Sequence, residues 1–152
     1  KPFDDEANLK LSDLIKKNKS VSIHVRRGDY TNNTLYKNIC DIEYYKNAIK
    51  KAKDLITPNL FCIFSNDITW CKKNLYQFID APIIYVNWNF NDNSFKDMQL
   101  MTYCNINIIA NSSFSWWGAW LNCNPDKIVI APKTWINLKN NKFSLPQSWT
   151  KI

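Results

Sequence analysis

Short apolar runs alternate along the chain with segments in which apolar residues recur at helical spacing. This alternation is typical of an α/β protein, in which parallel strands are joined by helices that cover the faces of the sheet. The sequence therefore predicts a Rossmann-like parallel sheet with flanking helices. The predicted strands are residues 21–25, 60–64, 83–86, 106–110 and 128–131.

The clearest predicted helix follows the first strand. Asp41 is a good N-cap, and apolar residues then recur every three or four positions until a Thr-Pro-Asn turn at residues 57–59. A shorter helix is predicted after residues 65–67, running to about residue 76. Both helices would cross from one parallel strand to the next.

The second half of the chain contains two more predicted helices. One begins at Ser94, with Asp97 three residues later completing a capping-box pattern. The other begins at residues 111–113 and carries three tryptophans, which we interpret as core packing: Trp116, Trp117 and Trp120. The tail from residue 132 onward is expected to wrap back onto the domain.

The predicted domain organisation has two parts. Residues 1–19 form a leading helical segment that belongs to a preceding region, and residues 20–152 form the Rossmann-like domain. The chain begins with Lys1 instead of methionine and reads like the middle of a longer protein, so we expect a fragment or an excised domain. No apolar run approaches the roughly 20 residues that cross a bilayer, and no signal peptide is present.

Composition and charge narrow the functional classes. Hydrophobic residues make up 45% of the chain, which argues against disorder, and 20 basic against 13 acidic residues give a net charge of +7. The scattered lysines indicate a solvated basic surface, or attraction to an anionic ligand or to anionic lipid headgroups. A basic chain rich in Trp and Tyr is also compatible with nucleic-acid binding, although no recognised motif for it occurs.

The cysteines favour a reducing compartment. There are five, without a Cys-x-x-Cys pair, and the single histidine leaves no Cys/His set for zinc. Cys62 and Cys104 lie in apolar segments and are predicted to be core thiols. We expect a cytoplasmic protein that can also associate peripherally with the inner face of the membrane.

Arg26 and Arg27 stand directly after the first predicted strand, where ligands dock in α/β proteins. Each guanidinium is a planar fork of donors that matches a phosphate, so the pair predicts a diphosphate clamp. Two glycines in the whole chain exclude the Gly-rich dinucleotide fingerprint and the P-loop. Arginines and a helix N-terminus would have to hold any phosphate instead.

Other residues near the arginines allow two interpretations each. His24 has the same strand parity as Arg26 and is either a core residue or a ligand contact. Asp29 would pair with one of the arginines and orient it. Asp67 follows the second strand as a helix cap or a ligand contact, and Asp97 would complete its capping box or accept two donors from a guanine edge.

The polar run Asn111, Ser112 and Ser113 follows a buried strand and opens a helix. One reading is N-capping; the other is that hydroxyls and free backbone N–H groups face an anion. Residues 87–93, rich in asparagine and aromatic side chains, have the composition of a site rim.

Three segments together carry a specific family resemblance. Residues 24–29, His-Val-Arg-Arg-Gly-Asp, match a His-x-Arg-Arg-x-Asp motif. Residues 111–121 are similar to a second hallmark block and residues 64–71 to a third. The chain resembles bacterial α-1,2-fucosyltransferases of glycosyltransferase family 11 from about residue 21 to its end, in the order of that family's carboxyl-terminal half.

The resemblance implies the carboxyl-terminal, Rossmann-like half of a GT-B-like glycosyltransferase that binds GDP-fucose without a metal or other cofactor. Arg26 would contact the β-phosphate, supported by Arg27, while His24 and Asp97 would meet the guanine. Three residues would line the diphosphate and nucleoside: Ser112, Ser113 and Phe114. We therefore group Arg26, Arg27 and Asp29 as catalytic, and the donor-binding set as His24, Arg26, Asp67, Asp97, Asn111, Ser112, Ser113 and Phe114.

The resemblance also implies the reaction and its partners. L-Fucose would pass from GDP-β-L-fucose to a hydroxyl of a galactose-containing glycan in α-1,2 linkage, with inversion. The family's Gly-rich Gly-x-Gly-Asn-Gln block has no match here, so we expect the other half of the cleft to lie in a missing amino-terminal half. By itself the chain would bind GDP or GDP-fucose weakly and without transfer.

Two other functions remain open from the sequence. One is a non-catalytic module that binds a GDP-sugar, and the other is a basic domain that binds nucleic acid. Nucleic-acid affinity would fall steeply with salt and would be indifferent to GDP. The acceptor and the general base are not identified by the sequence.

Overall fold

The computed structural model describes residues 2–139 and 143–152. Residue 1 of the predicted leading segment, and residues 140–142 of the predicted tail, lie outside this range. Within it, all strands are parallel and form one sheet in the order β3-β2-β1-β4-β5-β6. The strands are β1 Ser20–Val25, β2 Leu60–Ser65, β3 Ile83–Val86, β4 Ile106–Ile108, β5 Ile128–Ala131 and β6 Thr150–Lys151. The predicted Rossmann-like α/β fold is confirmed.

Five α-helices accompany the sheet in the described residues: α1 Glu6–Lys17, α2 Ile42–Ile56, α3 Ile68–Asn74, α4 Phe95–Met101 and α5 Ser113–Trp120. Both predicted ends of α2 are confirmed. The Asp41 carboxylate accepts the Tyr44 backbone N–H at 2.9 Å, and Thr57 adopts a left-handed conformation just before a proline. A capped start and a proline after the end are the usual limits of a helix.

One face of the sheet is covered by α2. Alternate residues of β1, including Val21 and Ile23, point toward it because successive strand side chains alternate between faces. Ala48 and Ile49 of α2 meet them in a fully buried cluster. Tyr45 is buried there too, and its hydroxyl donates to the His24 carbonyl at 3.1 Å, so its polar end is satisfied.

The opposite face is covered by α1 and α4. Leu11 and Ile15 of α1 share an apolar cluster with Cys62 and Phe64 of β2 and with Leu100 of α4. The leading segment therefore packs directly on the sheet. The predicted core thiols are confirmed, since Cys62 and Cys104 are both fully buried.

A buried polar seam joins β1, β4 and the end of α5. The Asn107 amide donates to Ser22 Oγ and to the Met101 carbonyl, both at 2.7 Å. Asn122 donates in turn to Asn107 Oδ1 at 2.8 Å. Each group has its partner, so the seam avoids the penalty of an unpaired polar group and specifies how α5 joins the sheet.

The tail wraps back onto the domain, as predicted, and adds a strand that the sequence did not indicate. Thr150 pairs with Ile130, and the Ile152 backbone N–H donates to the Ala131 carbonyl at 3.0 Å. Trp149 is buried beside Trp116, with ring centroids 5.6 Å apart. A two-residue strand carries no periodicity, and its position comes from this tertiary packing.

Two predictions about helices are wrong. Ser94 has helical backbone angles and makes no side-chain cap within the described part of the chain, because a 3-10 turn at Asn91–Asn93 already leads into α4. Asp97 is consequently not a capping partner. On α5, Trp117 and Trp120 are 48% and 50% exposed, so the tryptophan stripe is not wholly core.

Candidate functional site

Three of the predicted site residues, Arg26, Arg27 and Asp67, lie at the carboxyl ends of β1 and β2. These strands are neighbours, with Val25 opposite Ser65, so the loops that follow them start side by side. Arg26 and Arg27 leave β1 at the same edge as Asn66 and Asp67 leave β2. This edge of a parallel sheet is where ligands bind.

Arg27 is held by the second loop. Its Nε donates to Asp67 Oδ2 at 3.2 Å, and its guanidinium carbon lies 4.3 Å from the centre of the Trp70 ring. The Arg27 backbone N–H donates to Asn66 Oδ1 at 2.9 Å, and the Asn66 amide donates back to the Arg27 carbonyl. Asp67 also caps α3 through the Trp70 N–H. These contacts fix the orientation of Arg27, and its predicted support of the diphosphate stays a prediction.

Gly28 is required by the turn that follows. Its φ is +62°, and a Cβ built there would lie 3.0 Å from the Asn66 amide nitrogen. A larger residue would be strained and would disturb the Asn66 bridge to Arg27.

Arg26 has other partners than Arg27 and remains available to a ligand. Its Nη2 lies 3.0 Å from Asp29, which confirms the predicted pairing of that carboxylate with an arginine. Its guanidinium carbon lies 5.5 Å from the centre of the Tyr30 ring. Among the described residues its hydrogen bonds go only to Asp29, so most of its five N–H donors stay free for an anion.

A hollow of about 550 Å³, called here the larger hollow, opens on one side of Arg26. Its size is within the usual range for a ligand pocket. It brings together four of the predicted residues: His24, Arg26, Asp97 and Phe114. The predicted rim is also there, since Asn87, Asn89, Phe90 and Asn91 line it.

His24 forms an inner wall of the larger hollow. It is 6% exposed, its ring centroid is 5.3 Å from that of Phe114, and its Nδ1 has no partner in the described parts of the chain. Burial, reinforced by the Arg26 charge, lowers the pKa of the His24 imidazole to about 3. A neutral, buried imidazole with an unpaired nitrogen is ready for a polar ligand group.

Asp97 stands on another wall of the same hollow. Its Oδ1 accepts the Asn89 amide at 2.7 Å, and Asn89 exchanges two further hydrogen bonds with Asn8 of α1. Burial raises the pKa of the Asp97 carboxyl to about 6, although the bond from Asn89 opposes the shift. No cationic group among the described residues pairs with Asp97, and a carboxyl with a raised pKa in the wall of a cavity is a candidate functional group.

A second hollow of about 320 Å³, the smaller hollow, lies on the other side of Arg26. Arg27 and Asn111 also line it. Its walls come mainly from the segment between β1 and α2 and from α3. Arg26 is the one residue, among those described, that lines both hollows.

The three residues of the polar run before α5 lie in different environments. Asn111 is buried, and its amide donates to the Trp135 carbonyl at 3.1 Å. Ser112 is buried and contacts the Tyr30 hydroxyl, which partly offsets the raised pKa that burial gives that phenol. Ser113 is exposed. Ser112 and Ser113 are not among the side chains that line either hollow, so their contact with a diphosphate stays a prediction.

The helix N-terminus at α5 nevertheless adjoins the larger hollow through Phe114. Ser112 makes no side-chain cap to it in the described structure, so simple N-capping by that hydroxyl is not observed. No group of three or more potential metal ligands occurs among the residues that the structure describes. None of the described helices has the length and apolar character needed to cross a membrane.

Sequence reasoning missed several residues that build the site. Asn66 and Trp70 hold Arg27, and Asn89 holds Asp97. The position of Asn66 at the end of a buried strand beside β1 was an available signal. Asn89 lies within the predicted rim of residues 87–93, but its hydrogen bonds with Asn8, 81 residues away in the chain, had no local signal.

Comparison with known proteins places this arrangement in a family. The family described as glycosyl transferase family 11 matches residues 4–152. An α-1,2-colitosyltransferase of Escherichia coli is 38% identical over 149 residues, which are 93% of this chain and 50% of that protein. The O-antigen biosynthesis glycosyltransferase WbnK of Escherichia coli is 37% identical over 137 residues, 88% of this chain and 44% of its own length.

A more distant relative is the mouse galactoside α-(1,2)-fucosyltransferase 2. It is 28% identical over 117 residues, which are 75% of this chain and 33% of that enzyme. The chain thus spans about half the length, or less, of the curated relatives that it matches.

Proposed function

The chain belongs to glycosyltransferase family 11, and we propose that it forms the donor-binding part of an α-1,2-fucosyltransferase. The donor is GDP-β-L-fucose and the acceptor is a galactoside hydroxyl. In this proposal the larger hollow holds the nucleotide, and Arg26 receives the diphosphate. The relatives named as α-1,2-transferases support the linkage.

The observation that carries the proposal is the combination of groups around the larger hollow. An arginine with free donors stands at one end, a buried neutral histidine lines the wall, and a carboxylate without a cationic partner faces the same space. A guanine presents adjacent N–H donors that suit the Asp97 carboxylate, and its other edge presents acceptors. The proposed ligand therefore offers a polar partner to each of these three groups.

The proposed chemistry is a single displacement. The acceptor hydroxyl attacks C1 of the fucosyl group while the bond from C1 to the β-phosphate oxygen breaks, so the configuration at C1 inverts and GDP departs. Negative charge builds on the β-phosphate during this step. Arg26, oriented in advance by Asp29, stabilises that charge without a metal ion in our proposal.

A second candidate donor follows from the comparisons. The relative at 38% identity is named for colitosyl transfer, so a colitosyl donor is the natural competitor of GDP-fucose. A module that only binds a GDP-sugar is the alternative without catalysis. The five free thiols agree with a cytoplasmic location, which remains part of the proposal together with peripheral membrane attachment.

The experiment has a binding arm and a transfer arm. Calorimetry of this chain with GDP, GDP-fucose and ADP tests nucleotide selectivity, and the full-length protein is assayed with GDP-fucose, and separately with GDP-colitose, with and without EDTA. We expect binding of GDP but not ADP, and transfer that persists in EDTA. Binding without transfer by the full-length protein supports the non-catalytic module, and the absence of GDP binding contradicts the proposal. Salt-sensitive RNA binding unaffected by GDP would favour a nucleic-acid domain instead.

A further inference from the structure

The smaller hollow is separate from the proposed nucleotide site but shares Arg26 with it. Its other walls include Tyr30, Tyr36, Asn38, Asp41 and Asn74. If the β-phosphate lies at Arg26 with the nucleoside in the larger hollow, the sugar on that phosphate is directed toward the smaller one. An attacking hydroxyl must approach that sugar from the side opposite the phosphate.

We propose that the smaller hollow binds the acceptor glycan and that Asp41 takes the proton from its attacking hydroxyl. This inference rests on the proposed function, because it assumes a sugar donor at Arg26. It assigns a substrate class to a cavity whose role the family membership leaves undefined.

The chemistry of the walls suits a neutral sugar. Tyr30 and Tyr36 stack on each other with ring centroids 4.6 Å apart, which presents a broad, rigid aromatic surface. Rings with a polar edge bind the apolar faces of sugars and reach their hydroxyls. Amides provide both donors and acceptors: the Asn74 amide nitrogen donates to the Trp70 carbonyl, and its oxygen accepts no hydrogen bond from the described residues.

The size of the hollow favours the same ligand class. At about 320 Å³ it lies at the small end of ligand pockets, whereas the larger hollow has about 550 Å³. The nucleotide, as the larger ligand, takes the larger space, and the smaller space remains for a sugar residue.

The wall that carries Tyr36 is held in place from the tail. The Asn137 backbone N–H donates to the Leu35 carbonyl at 2.8 Å, and its amide donates to the carbonyls of Thr34 and Lys37, both at 3.0 Å. Three hydrogen bonds from one residue order a segment that otherwise has no regular structure. Such preorganisation lowers the entropy lost when a ligand binds.

Among the described residues lining the smaller hollow, Asp41 carries the one carboxylate. Its Oδ1 accepts the Tyr44 N–H at the start of α2. No other hydrogen bond to its carboxylate is present in the described structure, so Oδ2 is available. Asp29 is less suitable as a base because both its oxygens face Arg26.

The proposed transfer is a single displacement. The acceptor oxygen forms a bond to C1 of the donor sugar as the bond from C1 to the β-phosphate oxygen breaks. The hydroxyl proton moves to Asp41 Oδ2, and GDP leaves with the electron pair of the broken bond. Asp41 then returns the proton to solvent.

The first test separates acceptor binding from donor binding in the full-length protein. Tyr36→Ala is expected to raise the acceptor KM roughly tenfold while the GDP Kd stays unchanged, the effect of losing about 1.4 kcal/mol of contact. Phe90→Ala is the matched control: it removes an aromatic ring from the larger hollow and should raise the donor KM instead. If the wild-type protein transfers the sugar but Tyr36→Ala leaves the acceptor KM unchanged, the assignment of the acceptor site is overturned.

The second test concerns the proton. Asp41→Asn keeps a good N-cap, so α2 and the fold are preserved. We expect kcat to fall on the order of a hundredfold, with the GDP Kd and acceptor KM unchanged. An unchanged kcat shows that Asp41 only caps the helix and overturns its assignment. If the wild-type protein transfers no sugar at all, the proposed function fails instead.

Discussion

The Arg26 guanidinium lies 3.0 Å from the Asp29 carboxylate, three residues later in the same loop. Because this pair is partly exposed, it contributes little to stability. Its effect is on orientation: Asp29 holds one end of the guanidinium, and the Arg26 side chain lines both hollows.

Arg26→Ala in the full-length protein is expected to lower fucosyl transfer at least roughly a hundredfold, since one preorganised charge contact is lost in the transition state. Turnover with GDP-fucose measures the effect. Lys10→Ala, which removes an exposed ion pair on α1 far along the chain from the site, is the control. Near-normal turnover in a folded Arg26→Ala protein would contradict the assignment.

Nucleotide affinity is expected to depend on pH through Asp97. Its carboxyl has a pKa of about 6, so it loses its negative charge as the pH falls from 7 to 5. His24, with a pKa of about 3, stays neutral over that range. We expect GDP affinity to fall as the pH drops through about 6, measured by calorimetry. A flat profile would show that Asp97 does not meet the base.

Asp97→Asn should have opposite effects on stability and binding. A carboxyl whose folded pKa is raised from 3.8 to about 6 favours the fold below pH 3.8, and that contribution is lost as the pH rises through 6. At pH 7 the variant is therefore expected to be more stable by roughly 2–3 kcal/mol. Its GDP affinity should fall and lose its pH dependence. Urea unfolding at pH 4 and 7 provides the check, because the gain should shrink at the lower pH.

Gly28→Ala is expected to destabilise the protein by about 1–2 kcal/mol, because φ is +62° and the new methyl group would crowd the Asn66 amide. GDP affinity should fall as well, since Arg27 loses its bridge. Asn66→Ala removes the same bridge without changing the backbone at position 28. If both variants bind GDP like the wild type, the bridge has no role in positioning the arginines.

Lys127→Met tests stability away from the site. The Lys127 ammonium donates to the carbonyls of Ala119, Trp120 and Asn122 at the end of α5, at 2.6–3.0 Å. A cation there interacts favourably with the helix dipole and with unpaired carbonyls. We expect a loss of about 1–2 kcal/mol in unfolding free energy with unchanged GDP affinity. Reduced GDP binding would indicate that the end of α5 is coupled to the site.

Much of the fold was predictable from local patterns. The ends of α2 were found from Asp41 and the turn at Thr57, and five strands were found from their apolar runs. Local rules failed where a competing arrangement was stronger. Ser94 did not cap α4 because a preceding 3-10 turn took its place, and Trp117 and Trp120 stayed exposed although their spacing indicated a core face.

The sequence predicted the chemistry of the candidate site, but not which protein contacts each of the two arginines makes. The motif around Arg26 and the strand before it located the anion-binding edge, and Asp29 was expected to pair with an arginine. That Arg26 lines both hollows, whereas Arg27 is held by Asp67 and Trp70, depends on contacts from a separate strand loop.

The sequence by itself determined the strand and helix periods, the arginine pair at a strand end and the family, because these depend on residues close together in the chain. Only the tertiary structure decided that Asn8 would bond to Asn89, that the tail would add a sixth strand, and that two hollows would share one arginine. Each of these brings together residues far apart in sequence, and such contacts are selected by packing of the whole domain, which no local pattern encodes.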